Sequence, residues 1–225
     1  MLNKTASVVS GLLLAGLLAG CSEPVENTSN DVLKQVVDGF LQEKSVCMPL
    51  ALTELNGELS PGVQGMLGEP IIKVPLGAGP EDTPVAAFAQ MQALVDAGIY
   101  APFVADVVLL PGRSGVVPAQ VYQLTDKGRQ FVYDSRFGDL FCMGNERVKR
   151  IMAREDATDK TPKGRFLVHL SYEPEFVIEP WAQALADAGN QQLARLIRPG
   201  QISRTTLVYA EGKWQDSRQY YKLNK

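Results

Sequence analysis

Covalent or acid–base chemistry in this chain would have to come from 3 cysteines, 1 histidine and a few serines and carboxylates. A hydrolase needs a nucleophile beside a base. His169 stands on the outward side of a predicted strand, near Arg165 and Ser171, and reads as a surface or partly buried structural residue. Gly112-Arg113-Ser114-Gly115 lacks the Gly-x-Ser-x-Gly spacing and lies in a turn between strands, not at a strand-to-helix elbow. That turn precedes no helix, so it offers no phosphate cradle. One histidine leaves mainly carboxylates for a metal, and Glu155-Asp156 with Asp159 reads as a solvated loop. No Cys-x-x-Cys occurs, which argues against a redox enzyme. The expectation is a protein with no catalytic residue, no metal and no cofactor.

Two surface groups are candidates for binding instead. Arg147, Lys149, Arg150 and Arg154 form a basic strip in a chain of formal net charge −3. Such a strip suits lipid A phosphates, cell-wall carboxylates or an acidic protein partner, and its plainer alternative is a solvated strand face. Trp214 with Tyr209, Tyr220 and Tyr221 is either an aromatic binding face or a set of cross-strand pairs that stabilise a hairpin.

The third cysteine has the most informative surroundings. Lys4 is followed by an uncharged apolar run over 6–18, then by Leu17-Leu18-Ala19-Gly20-Cys21. The run is short for a bilayer, which takes about 20 apolar residues. A positive start, an apolar stretch and small residues before a fixed point are the parts of a cleaved export signal. Leu-Ala-Gly-Cys resembles the lipobox of bacterial lipoprotein precursors. The resemblance implies removal of 1–20, lipidation of the Cys21 thiol and acylation of the new amino terminus. A single acyl chain anchors only reversibly, so several chains on one cysteine meet the need for a stable anchor. Ser22, rather than an aspartate, follows Cys21. In the lipoproteins this resembles, that implies sorting to the outer membrane of a Gram-negative host, with the body facing the periplasm.

Removing 1–20 takes away one charged residue, Lys4, and moves the formal charge from −3 to −4. An acidic body has no general attraction for nucleic acid or anionic lipid, so membrane contact is expected through the lipid alone. Cys47 and Cys142 then remain in an oxidising compartment, where a disulfide is expected; the alternative is two separately buried thiols. The bond would close a loop of nearly a hundred residues.

These residues need elements to hold them. Residues 21–30 are polar and read as a tether. Asp31 is the expected N-cap of a helix to about 44, with Val32, Leu33, Val36, Val37, Phe40 and Leu41 on one stripe. The Pro- and Gly-dense stretch 46–82 predicts irregular backbone, with 71–74 the better candidate strand. Thr83-Pro84 predicts the start of a helix stopped by Gly98, burying Phe88, Met91, Leu94 and Val95. Strands are predicted over 103–110 and 119–124, with Thr125 capping a short helix after them. Further strands fall at 148–154 and 166–172, and a polar loop at 156–164. A helix over 181–197 carries a possible break at Gly189-Asn190, and a hairpin of 205–210 with 213–221 turns at Glu211-Gly212.

Ala93-Leu-Val-Asp-Ala-Gly-Ile99 before a hairpin and Tyr122-Gln-Leu-Thr-Asp-Lys-Gly-Arg129 after it are similar to the sequence around the wing of winged-helix regulators. The resemblance covers about 83–133 and implies a helix that enters a DNA groove. Residues 84–98 hold no Lys or Arg, however, so the main driving term for DNA is missing and no nucleic-acid partner is expected. Phe141-Cys142-Met143-Gly144 and the strands after it resemble uncharacterised bacterial envelope lipoproteins, which implies a fold and no activity.

The sequence thus predicts an α+β protein. Residues 31–143 would form a helical, winged-helix-like subdomain, and 144–225 an antiparallel sheet packed on one helix. The expected role is a lipid-anchored, non-enzymatic binding or accessory module with an envelope protein or the cell wall as partner. The alternatives are a small-ligand-binding envelope protein, which an apolar pocket lined by Trp181, Tyr172 or Trp214 would favour, or a hydrolase of unusual type.

Overall fold

The computed structural model describes residues 27–77, 83–109, 115–136, 138–157 and 165–223. Cys21, the export signal and residues 21–26 of the tether lie outside them, as do Arg113, Ser114 and Asp159. In chain order the elements are α1 (Asn30–Gln42), β1 (Ser45–Met48), β2 (Ile71–Pro75), α2 (Val85–Asp96), β3 (Tyr100–Pro102), β4 (Asp106–Leu109) and β5 (Val116–Leu124). There follow α3 (Asp126–Arg129), β6 (Val132–Ser135), β7 (Gly138–Ala157), β8 (Phe166–Ile178), α4 (Pro180–Asp187), α5 (Gln191–Leu196), β9 (Ser203–Ala210), β10 (Lys213–Asp216) and α6 (Ser217–Leu223). The chain is a mixed α+β protein with two antiparallel sheets.

The larger sheet runs β1-β7-β8-β9-β10, with β6 also on β7. β7 and β8 extend well beyond the predicted 148–154 and 166–172, because Gly144 and Pro174 do not end them. A Cβ on Gly144, at φ 142°, would lie 2.2 Å from the Val177 carbonyl oxygen, so only glycine lets the two strands close there. Pro174 faces Val148 beside a register shift between Val148 and Arg150, and such irregularities are where a strand accepts proline. The Val148 N–H is taken by Asp38 of α1 at 2.6 Å. Cys47 and Cys142 are bonded across the β1–β7 pair.

α1 covers one face of this sheet. Its cap is Ser29, which accepts from the Val32 N–H at 3.4 Å, and not Asp31. Asp31 sits in the first turn, where its charge favours the positive helix end. Leu33, Val37, Phe40 and Leu41 pack on Val148, Val168, Leu170, Tyr172 and Leu207. The predicted strand 213–221 is shorter than expected, because the Asp216 carboxylate accepts the Arg218 N–H at 3.0 Å and starts α6.

The smaller sheet has the order β2-β5-β3, with β4 beside β3 on the same edge of β5. Of the described part of the predicted strand 103–110 only 106–109 is strand, as β4; Phe103 and Val104 are exposed outside any strand, and the short β3 precedes them, ending at Pro102. Pro84 itself occupies the cap position of α2 with no side-chain hydrogen bond, in place of the expected Thr83. The helix ends as predicted: Gly98 takes φ 73°, its N–H reaches Val95 O at 2.8 Å, and the Ile99 N–H reaches Leu94 O at 2.9 Å. Buried Ala87, Met91 and Leu94 join Leu50, Leu67, Ile72, Phe141, Trp181 and Leu185 in a second core.

A buried polar hub sits inside that core. Gln90 exchanges hydrogen bonds with the Thr53 backbone, and Asn190 donates to Gln90 at 2.8 Å and to Ala51 O at 2.9 Å. Asn190 also caps α5, so the break after α4 falls at the predicted Gly189-Asn190. Each core therefore draws on both halves of the sequence: α1 serves the sheet of β7 to β10, while α4 and α5 pack with α2.

Candidate functional site

Strand register decides which polar residues meet on the sheet face opposite α1. Along β8, Val168, Leu170 and Tyr172 point into the core under α1, which turns His169 and Ser171 the other way. Ser171 lies between Ala153 of β7 and Arg204 of β9, and His169 between Glu155 and Thr206. These two rows line a cavity of about 420 Å³. His169 Nδ1 and Thr206 Oγ1 are 2.8 Å apart. Glu155, Ser171 and Arg204 make no side-chain hydrogen bond or ion pair with any described residue. The cavity thus presents a guanidinium, a carboxylate, an imidazole and hydroxyls over the small side chains of Ala153 and Ser171.

This corrects the placement of Glu155 and Asp156, which belong to β7 and not to a loop. His169 does face outward, as expected. Arg204 and Thr206 carry no motif; only the pairing of β8 with β9 brings them to His169 and Ser171.

The basic strip has a different character. Arg147 pairs with Glu175 at 2.6 Å, and Lys149 and Arg150 both reach Glu173 at 2.7 Å. Arg154 pairs with Asp156 at 2.8 Å and also donates to the Thr28 carbonyl. Hydrogen bonds from Lys149 and Arg150 hold the Glu173 carboxyl below the usual carboxylate range, and that from Arg147 does the same for Glu175. Every cation of the strip is therefore engaged in an ion pair within the sheet, with Lys149 and Arg150 sharing one carboxylate.

A second cavity, about 590 Å³, lies where the end of α2 meets α3 and the start of α4. Trp181, Phe131, Pro180 and Ala93 give it apolar walls, with Asp96 and Lys127 at its polar side. Trp181 is 3 % exposed, and its ring packs on Phe141 at 4.6 Å and Phe131 at 5.6 Å. Tyr172 and Trp214, named with Trp181 as pocket candidates, belong to the other core. Burial first, then the Glu146 charge, pushes the Tyr172 hydroxyl up to about 12. Trp214 meets Tyr209 directly across the β9–β10 hairpin, so these aromatics are a cross-strand pair.

Among the described residues, no three His, Cys, Asp or Glu side chains are grouped to hold a metal ion. Among them, too, no helix is long and apolar enough to cross a membrane. Comparison with protein-family models, curated proteins and solved structures found no match for this chain.

Proposed function

We propose that this chain is a lipid-anchored cell-envelope protein whose periplasm-facing body is a non-enzymatic binding module, with the cavity on the sheet face opposite α1 as its ligand site. The observation that carries the site is the uncommitted pair of Glu155 and Arg204 lining one cavity, beside a strip in which Arg147, Lys149, Arg150 and Arg154 are all in ion pairs. The anchor rests on Leu17-Leu18-Ala19-Gly20-Cys21 and the export signal before it. Outer-membrane placement rests on Ser22. The order β2-β5-β3 and the α2–hairpin sequence support a winged-helix-like unit over about 83–133. No Lys or Arg lies in α2, so that unit is read as a scaffold and not a nucleic-acid reader.

Two measurements test this reading. Labelled palmitate fed to cells should enter the wild-type protein and fractionate with the outer membrane, and Cys21→Ala should abolish both. An unlabelled wild-type protein would refute the anchor. For the site, a periplasmic metabolite extract should raise the melting temperature of the full-length protein in detergent, and Arg204→Gln should remove that rise. Equal stabilisation of wild type and variant would move the ligand away from this cavity.

A further inference from the structure

We infer that the ligand of this cavity is a zwitterion of the amino-acid or short-peptide class, its carboxylate on Arg204 and its ammonium on Glu155. The inference rests on the cavity being the ligand site. Elsewhere on this sheet, opposite charges on adjacent strands close to salt bridges of 2.6–2.7 Å. Glu155 and Arg204 are on β7 and β9 with β8 between them, and two strand spacings come to about 10 Å. They stand at diagonal corners of the two rows and make no ion pair.

A ligand bearing only a negative charge would satisfy Arg204 but bring that charge toward the Glu155 carboxylate. One bearing only a positive charge would meet the reverse difficulty at Arg204. A molecule with both charges, separated along its length, satisfies each corner and is favoured over either singly charged analogue by that difference. The small floor of Ala153 and Ser171 lets a peptide-like backbone lie against the sheet, with the Ser171 hydroxyl and the His169–Thr206 pair offering hydrogen bonds along it. A volume of about 420 Å³ falls in the lower part of the small-molecule range and suits a short chain.

The test uses the full-length protein in detergent, titrated calorimetrically with the common amino acids and dialanine, then with N-acetyl-dialanine and dialanine amide. Dialanine or a free amino acid should bind, and blocking either end should weaken it at least about ten-fold, the loss expected when a charge-assisted hydrogen bond goes. Glu155→Gln should erase the difference between dialanine and its N-acetyl form. Arg204→Gln should erase the difference between dialanine and its amide, with unchanged melting in both variants. Equal binding of dialanine and N-acetyl-dialanine to wild type would overturn the zwitterion while leaving an anion site in place. If extract ligands bind through Arg204 but none of these probes does, the ligand class is wrong. Absence of any binding, extract included, overturns both the class and the site.

Discussion

From Arg147 to Arg150 the large sheet sets each cation against a carboxylate one strand away, and the pairs close. A few residues along the same strands, Glu155 and Arg204 are separated by β8, with His169 and Ser171 between them, and they stay apart. Composition does not distinguish the two rows. The difference lies in strand order: opposite charges on adjacent strands pair directly, whereas Glu155 and Arg204, two strands apart, leave a polar space between them. The strip with the greater density of cations is for that reason the weaker candidate for binding, and the sparser row the stronger.

The contrast presumes that one sheet holds both rows in fixed register. The largest test of that premise is the Cys47–Cys142 bond, which spans 95 residues and pins β1 to the start of β7. Chain entropy gives such a bond about 4 to 5 kcal/mol. Cys47→Ser with Cys142→Ser should lower the melting temperature sharply, and hydrogen exchange should rise in both rows together. Loss of protection in the strip alone would show that the rows are not one unit.

Next in size is the covered face. Leu33 is fully buried between α1 and the sheet, and Leu33→Ala should cost about 2 to 5 kcal/mol in denaturant melts. A cost below that range would mean that α1 does not fix the sheet whose other face carries the cavity.

A smaller effect is expected at Asp216, which shows what a committed carboxylate does on this sheet. Burial alone would raise its carboxyl, but hydrogen bonds from Arg218 and Thr205 outweigh burial and hold it below the usual range. Because its folded value is depressed, its stabilisation is present above the unfolded value, about 3.9, and is lost as pH falls through the folded one. Asp216→Asn should cost about 1 to 3 kcal/mol at neutral pH and flatten the acid limb of the stability curve. An unchanged acid limb would remove Asp216 from the account.

How much of this was legible in the sequence depends on how local each feature is. Leu33, Val37, Phe40 and Leu41 of the predicted stripe, the Gly98 stop, the Thr125 cap and the Gly189-Asn190 break are decided within a few residues and stand where the pattern put them, while Val32 at the edge of the stripe is 42 % exposed and Val36 only partly buried. The passage of β8 through Pro174 depends on Val148, distant in the chain, whereas the Ser29 cap is a local bond to Val32 that Asp31 rivals in the sequence. The cavity is the extreme case. His169 and Ser171 faced outward in the alternation of β8, but Glu155 and Arg204 become their neighbours only through pairing across three strands, and no linear spacing encodes that.

The smallest expected effect is also the sharpest form of the comparison. Glu173→Gln removes a carboxylate shared by Lys149 and Arg150 and should lower stability measurably, because both cations lose their partner while the site remains largely covered. Arg204→Gln and Glu155→Gln remove charges that hold nothing in the free protein, and each should leave stability within about 0.5 kcal/mol of wild type. Should Arg204→Gln prove as damaging as Glu173→Gln, Arg204 would belong with the ion-paired strip, and the distinction between the two rows would fail at its most specific point.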